Sequence, residues 1–124
     1  MEELNATTIP VIENFIIPLE GKIVLGNLIE LDSSYLIWLG TESNPSFSTL
    51  EMAMPTRFNE LPLTTSLISP LAPTQDSACV GLMQRLSKRF SIQLFLSCNV
   101  DLEEGEYFIV ERHLFQQISL RVNK

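Results

Sequence analysis

Residues 22–40 read KIVLGNLIELDSSYLIWLG, a run that predicts two β-strands joined by a tight turn. The strands are predicted at 22–31 and 34–40, because β-branched, aromatic and leucine residues dominate both and no helical period runs through them. The side chains of Asp32 and Ser33 in the link are of the kind that hydrogen-bond to turn backbone. The run is therefore predicted to be a hairpin.

The apolar residues of this hairpin point to both faces of the predicted sheet. Side chains alternate between the two faces along a strand, and a sheet that is wet on one face alternates apolar with polar residues. In the second strand, Tyr35, Ile37 and Leu39 lie on one side. Leu36 and Trp38 lie on the other side. Both faces of the sheet are therefore expected to be covered.

Further strands are predicted on both sides of the hairpin, at 11–19 and 47–54, from the same strand-like composition. Gly40 with the following residues 41–46, TESNPS, predicts a second hairpin. Residues 55–77 carry repeated prolines, each of which removes a backbone donor, and so predict a long loop. Loops of this length in a small domain are functional or mobile.

The second half of the chain predicts two helices. Residues 76–90 place Cys79, Leu82, Met83 and other apolar side chains on one stripe at helical spacing. Gly81 inside this helix predicts a close approach to the sheet or to a partner's backbone. The remaining predicted elements are strands at 92–98 and 106–110, separated by an acidic turn around Gly105, and a helix at 111–121.

This order predicts one α+β domain over residues 1–124, with about six mostly antiparallel strands and two helices on one face of the sheet. Two helices cover only one face, so the other face is predicted to serve dimerisation. The alternative is that the loop 55–77 folds over it.

Composition limits the function. The chain has 124 residues, 45% of them hydrophobic and 19% charged, which is typical of a single folded domain. A net charge of −7 with only eight Lys and Arg residues argues against binding to nucleic acid or to an anionic membrane. No signal peptide or membrane-spanning run is indicated. We expect a protein of the cytoplasm or nucleus.

A catalytic site is weighed at the start of the helix 76–90. A cysteine near a helix N-terminus can be activated, and Cys79 with His113 and Asp76 would resemble a triad. Cys79, however, shares the apolar stripe, and Asp76 with Ser77 is explained as a helix cap. One histidine and no C-x-x-C spacing favour no metal site. No catalytic residue, cofactor or metal is predicted.

Five short segments together resemble the proteasome assembly chaperone 4 family in order and spacing. They are YLIWLG (35–40), MAMPTRF (52–58), LPLTTSLIS (61–69), GLMQRLSKR (81–89) and IQLFLSCNV (92–100). The most specific elements are Pro62 with Thr65-Ser66-Leu67, and Gly81-Leu82 with Gln84-Arg85-Leu86.

The resemblance implies a non-enzymatic chaperone that pairs through facing sheets with a proteasome assembly chaperone 3-like subunit. The heterodimer is expected to bind alpha-type subunits, to help order the alpha ring of the proteasome core particle, and to leave as beta subunits assemble. The alternative is a small antiparallel-sheet scaffold of trafficking or GTPase-regulatory complexes, which also dimerises through sheets.

Candidate binding residues follow from the resemblance and from the two-faced strand pattern. Leu36 and Trp38 are predicted to lie at the interface of the chaperone pair. Contact with the proteasome subunit is predicted either for the loop 55–77 or for the helix face formed by Arg85, Lys88 and Arg89.

Overall fold

The computed structural model describes residues 11–43, 45–58, 60–68 and 77–122, which form six strands and two helices. In chain order these are β1 (Val11–Leu19), β2 (Lys22–Glu30), β3 (Ser34–Gly40), β4 (Leu50–Met54), β5 (Leu63–Ile68), α1 (Ser77–Phe90), β6 (Gln93–Cys98) and α2 (Glu104–Val122). The strands form one sheet in the order β1-β2-β3-β6-β4-β5. Only β3 and β6 pair in parallel, so the predicted α+β class with a mostly antiparallel sheet is confirmed.

Two consecutive hairpins build the first half of the sheet. Between β1 and β2 the chain turns at Gly21, whose φ of +84° is unstrained only for glycine. Between β2 and β3 the Leu31 N–H donates to the Ser34 carbonyl at 2.8 Å. The hairpin predicted from residues 22–40 is therefore confirmed.

The second predicted hairpin, through residues 41–46, is wrong. β3 and β4 do not pair, because β6 lies between them and bonds to both. β6 suits a central position, since Leu94 and Leu96 are buried on one side and Phe95 is half-buried on the other. The turn residues reverse the chain, but local turn chemistry does not specify which strand becomes the neighbour.

Within the predicted loop 55–77, a strand was missed. β5 pairs with β4 in a hairpin and forms one edge of the sheet. Pro55 directly follows β4, and Pro62 directly precedes β5, so neither proline interrupts a strand. Prolines exclude a central strand but not an edge strand between them.

The strand predicted at 106–110 is also wrong, because these residues belong to α2. Tyr107, Val110 and Leu114 are buried and recur every three or four residues, which is one face of a helix. The helix begins at the residues predicted to form an acidic turn: the Glu103 N–H donates to Glu106 Oε1 at 2.9 Å. This is one half of a capping box, and it starts the helix before the β-prone run.

Both helices pack on one face of the sheet, as predicted. α1 contacts β4, β5 and β6, and α2 contacts α1 and β1. We call this side the covered face. Together with the helices it forms one buried cluster: Ile17, Val24, Leu28, Tyr35, Ile37, Leu39, Ala53, Cys79, Leu82, Met83, Leu86, Leu94, Leu96, Tyr107, Val110, Leu114 and Ile118.

Ion pairs hold α2 to the covered face at both ends. Near its start, Glu106 lies 3.1 Å from Lys22 of β2. Near its end, Arg121 pairs with Glu13 of β1 and lies 3.9 Å from Glu30 of β2. α2 is therefore anchored to the first hairpin of the sheet.

Candidate partner-binding surfaces

The side of the sheet opposite the helices carries an extensive apolar surface. We call it the open face, and its apolar side chains are Ile12, Ile16, Ile23, Leu25, Ile29, Leu36, Trp38, Met52, Met54, Leu63 and Phe95. Ile12 and Ile16 are each 58% exposed and Ile23 is 56% exposed. The predicted division of β3 into two faces is confirmed, because Ile37 is 1% exposed while Leu36 and Trp38 are only half-buried.

One row of apolar side chains crosses five of the six strands of the open face. Strand register places Ile12 beside Ile29, Ile29 beside Leu36, Leu36 beside Phe95, and Phe95 beside Met52. Directly opposed side chains in neighbouring strands are in contact range. The row therefore forms a continuous apolar strip with Leu36 near its middle.

Trp38 lies flat on the open face beside this row. Its indole ring covers Gly40, where an added methyl group would overlap the ring. The indole Nε1–H donates to the Ser46 carbonyl at 2.8 Å, which fixes the ring in place. The chain after β3 is held in turn by Asn99, whose Oδ1 accepts from the Ser48 N–H at 2.8 Å. Trp38 is thus a preorganised aromatic group, the kind enriched at interface hot spots.

A polar pair interrupts the apolar surface next to Trp38. Asn14 and Asn27 are opposed on β1 and β2, and the Asn27 side-chain amide donates to Asn14 Oδ1. With Ile16, Leu25 and Trp38, these amides line a shallow hollow of about 520 Å³. A partner side chain entering the hollow would meet an aromatic wall and an amide edge.

The predicted basic face of α1 is partly neutralised within the chain. Arg85 donates two hydrogen bonds to Glu111 of α2, from Nε to Oε2 at 2.8 Å and from a terminal nitrogen to Oε1 at 2.7 Å. This hydrogen bonding raises the pKa of the Arg85 guanidinium above its usual value. Arg85 therefore joins the two helices, while Lys88 and Arg89 remain for other contacts.

Gly81 gives room to this arginine, and the predicted close approach of Gly81 to the sheet is wrong. A methyl group on Gly81 would lie 3.3 Å from the Arg85 guanidinium, its nearest neighbour. The glycine therefore lets Arg85 lie along the helix surface on its way to Glu111.

Around this ion pair lies a second surface, on the opposite side of the domain from the open face. We call it the helical surface and define it by Arg85, Lys88, Arg89, Phe108, Glu111, Arg112 and Phe115. A groove of about 510 Å³ is lined by the residues of this set other than Lys88 and Arg89. Phe108 is 71% exposed. The Arg89 guanidinium carbon lies 4.8 Å from the centre of the Phe115 ring, within cation–π range.

The residues considered for catalysis are not assembled into a site in the described part of the chain. Cys79 is 8% exposed within the core cluster, His113 is half-buried on α2, and Asp76 lies outside the described residues together with its predicted cap. Among residues 11–43, 45–58, 60–68 and 77–122, no group of three or more His, Cys, Asp or Glu could hold a metal ion. Neither described helix is long and apolar enough to cross a membrane.

Comparison with known proteins identifies the family. The family model described as "Proteasome assembly chaperone 4" matches residues 24–100, more than half of the chain. The chain belongs to the proteasome assembly chaperone 4 family. The matched range runs from β2 through β6 and so includes most of the open face and all of α1.

Curated relatives agree with this family, and a solved structure has a similar fold. Proteasome assembly chaperone 4 of Homo sapiens is 29% identical over 108 residues, covering 86% of this chain and 84% of that protein. The Mus musculus protein of the same name gives the same identity and coverage. A structure titled "Crystal Structure of a Novel Chaperone Complex for Yeast 20S Proteasome Assembly" matches with a TM-score of 0.54 at 14% identity, covering 92% of this chain and 95% of that one. That likeness supports the fold.

Residues that carry the proteasome assembly chaperone 4 resemblance contact each other in the fold. The Gln84 side-chain amide donates to the Pro62 carbonyl at 3.1 Å, joining α1 to the segment that leads into β5. Asn99 donates to the Leu39 carbonyl at 3.1 Å and to Ser97 Oγ at 2.9 Å, joining the end of β6 to β3. These polar residues therefore fix the positions of elements around the sheet.

Several residues of the two surfaces were missed in the sequence. Phe95 and Met52 join Leu36 only through the register of β6 with β3 and β4, which local patterns do not reveal. Phe108 was missed because residues 106–110 were predicted to form a strand, and Glu111 lies at the predicted start of the following helix. A helical period continued back from Leu114 through Val110 and Tyr107 would have revealed them.

Proposed function

We propose that this protein is a non-catalytic chaperone of proteasome core assembly that acts as one half of a heterodimer. The observation that carries the proposal is the apolar row across the open face, in a chain of the proteasome assembly chaperone 4 family. Exposure of apolar side chains to water is unfavourable, and a protein surface packed against them removes that exposure. The open face is accordingly the surface that meets the partner chaperone.

The size of the open face suits such an interface. Six strands about 4.8 Å apart and roughly 20 Å long give a projected area of roughly 600 Å². A standard protein interface buries about 800 Å² on each partner. A second sheet of similar size, facing this one, would meet most of that requirement, and the chain segments at its rim would add the rest.

The partner that fits best is a proteasome assembly chaperone 3-like subunit of the same fold. Its sheet would have to accept the polar pair Asn14 and Asn27 within an otherwise apolar surface. Buried amides without hydrogen-bond partners are costly, so a correct partner must supply donors or acceptors there. Asn14 and Asn27 therefore favour binding of a partner with matching polar groups over binding of an arbitrary apolar surface.

The client of the heterodimer is an alpha-type subunit of the proteasome, and the helical surface is the better described candidate for contacting it. The helical surface and the open face lie on opposite sides of the sheet, so both can be occupied together. A chaperone that binds an early assembly intermediate more tightly than a later one releases it without nucleotide hydrolysis. Ordering of the alpha ring would then follow from simultaneous contact with the partner and the subunit.

Affinity purification from cell extract, followed by mass spectrometry, tests this proposal. We expect a proteasome assembly chaperone 3-like protein and alpha-type subunits to co-purify with the wild-type chain. Leu36→Asp should abolish recovery of the partner, because a buried unpaired carboxylate is costly at an interface centre. Leu120→Asp, at a 69% exposed position on α2, is the matched control and should retain the partner.

Trp38→Asp is expected to act like Leu36→Asp, with circular dichroism used to verify that both variants are folded. Recovery of a regulatory GTPase in place of proteasome subunits would contradict the proposal and favour the scaffold alternative. An intact heterodimer with both folded variants would contradict the assignment of the open face.

A further inference from the structure

We propose that the groove of the helical surface binds an acidic peptide segment that carries an aromatic or aliphatic side chain. This inference rests on the proposed function in one respect: it assigns the segment to the proteasome subunit that the chaperone pair holds. The chemistry of the groove itself is argued from its charges and its two phenylalanines.

Three of the four basic residues that define the helical surface form no ion pair within the described part of the chain. Lys22, Arg85 and Arg121 each lie within 4 Å of a carboxylate. Among the described residues, Arg57, Lys88, Arg89 and Arg112 take part in no such ion pair, and the last three belong to the helical surface. They concentrate positive charge on one side of a chain whose net charge is −7.

The floor of the groove is aromatic. The Phe115 ring packs on Phe90 with ring centres 5.2 Å apart and also lies beneath the Arg89 guanidinium. Phe108 lies seven residues, about two helical turns, before Phe115. It forms a wall of the groove and is 71% exposed. The exposed phenylalanine offers apolar contact and the neighbouring unpaired cations offer charge, so one ligand can use both.

These features select an acidic and apolar peptide among the alternative ligands. A purely apolar partner would bury three cations without compensating charges, which is unfavourable. A nucleic acid would meet few cations on a chain that repels phosphates overall. An acidic segment is repelled by the rest of the surface and attracted here, so charge complementarity directs it to the groove.

The Arg85–Glu111 pair gives the groove a fixed end. Both guanidinium hydrogen bonds are made within the chain, so Glu111 does not leave an unpaired carboxylate in the path of an acidic ligand. The pair also joins α1 to α2 beside the groove. The groove is therefore preformed, and binding does not require the helices to move.

Fluorescence anisotropy with the full chain tests the inference directly. The probe is a fluorescein-labelled eight-residue peptide with six acidic residues, one phenylalanine and one leucine. Two comparison peptides are used. In one, the six acidic residues are replaced by the corresponding amides; in the other, the phenylalanine and the leucine are replaced by serine. We expect the first peptide to bind. We expect the affinity of each comparison peptide to be lower by about tenfold or more.

Variants of the chain locate the binding site. The double variant Lys88→Glu with Arg112→Glu should weaken peptide binding about tenfold or more, and Phe108→Ser should weaken it about threefold to tenfold. Arg57→Glu reverses a charge at an exposed position outside the helical surface and should change binding less than about twofold. Circular dichroism establishes that each variant is folded.

Three results would overturn the inference: no binding of the acidic peptide, equal binding of the amide peptide, or equal weakening by Arg57→Glu and by the double variant. A separate purification from extract distinguishes this from the proposed function. If the wild-type chain recovers no alpha-type subunit, the proposed function fails while the peptide result still decides the groove. If alpha-type subunits co-purify equally with the wild type and the double variant, their assignment to the groove is wrong.

Discussion

The two faces of the sheet are formed by the same strands but differ in how they are used. In β1, Ile17 is 0% exposed on the covered face, while its neighbour Ile16 is 58% exposed on the open face. Val24 and Ile23 in β2 repeat the contrast at 0% and 56%. Folding requires only one apolar face, since burial beneath two helices already forms the core. The second apolar face is therefore better explained by binding than by folding.

Each face also carries an aromatic ring over a glycine. On the covered face Phe15 lies across Gly26, its cross-strand neighbour, and on the open face Trp38 lies across Gly40. Aromatic side chains placed over strand glycines shield backbone that would otherwise be exposed. The Phe15 ring packs against the core, whereas the Trp38 ring faces a hollow. The same device thus serves stability on one face and a ready contact surface on the other.

The largest expected effect separates the two isoleucines of β1. Ile17→Ala should lower the free energy of unfolding by about 2 to 5 kcal/mol, because it removes fully buried methyl groups and leaves a cavity. Ile16→Ala should change it by about 0.5 kcal/mol or less. Urea denaturation of both variants measures the difference. Similar losses for the two substitutions would mean that the open face contributes to folding as much as the covered face.

The two glycines provide the next comparison. Gly26→Ala and Gly40→Ala each add a methyl group where an aromatic ring lies, so each should cost about 1 to 3 kcal/mol. The larger loss is expected for Gly26→Ala, because Phe15 has packed neighbours while Trp38 has open space to move into.

Fluorescence distinguishes these two variants, since Trp38 is the chain's one tryptophan. Gly40→Ala should shift its emission by displacing the indole from its hydrogen bond with Ser46. Gly26→Ala should leave the emission unchanged in the folded chain. An unchanged spectrum for Gly40→Ala, or a shift only for Gly26→Ala, would contradict the assigned ring positions.

A smaller effect is expected where α2 is fastened to the covered face. The side chains of Arg121 and Glu13 are 17% and 45% exposed, so the pair is screened by solvent. A double-mutant cycle with Arg121→Met and Glu13→Gln should give a coupling energy of about 0.2 to 1 kcal/mol. Urea denaturation of the two single variants and the double variant measures it. Strict additivity would show that packing alone holds this end of the helix.

The extent to which sequence predicts this molecule follows from which interactions are local. The two-faced pattern of β3 and the helical stripe of α1 depend on side-chain periodicity, and both were predicted from it. The place of β6 between β3 and β4 depends on pairing between distant segments, so the predicted β3–β4 hairpin was wrong. Local turn signals at 41–46 could not reveal a strand that comes some fifty residues later, at Gln93–Cys98.

The two candidate surfaces could likewise be predicted from the sequence only where local patterns determine them. Leu36 and Trp38 were identified by alternation, but the strip that joins Leu36 to Phe95 and Met52 required the sheet order. In α2, the β-prone run 106–110 favoured a strand by composition, and the capping interaction at Glu106 favoured a helix. Burial of Tyr107 and Val110 against the core favours the helix. The groove of the helical surface exists because these residues are helical.

The smallest expected effect concerns pH and the start of α2. The backbone N–H of Glu103 and the ammonium of Lys22 hold the pKa of the Glu106 carboxyl below its ordinary value. A folded-state pKa below the unfolded one means that the ionised carboxylate stabilises the fold above its unfolded pKa, and that this contribution is lost as pH falls through the folded pKa. The stability difference between the wild type and Glu106→Gln should therefore be constant near neutral pH and shrink below about pH 4.5.

Urea denaturation from pH 7 to about pH 3 measures this dependence, with Glu42→Gln, in the exposed segment after β3, as the matched control. A difference between the wild type and Glu106→Gln that did not change with pH would contradict the ionic role of Glu106 and leave only its backbone hydrogen bond. Because Lys22 and Glu106 join β2 to α2, loss of this pair in acid should loosen the start of the helix over the covered face while the open face stays as it is.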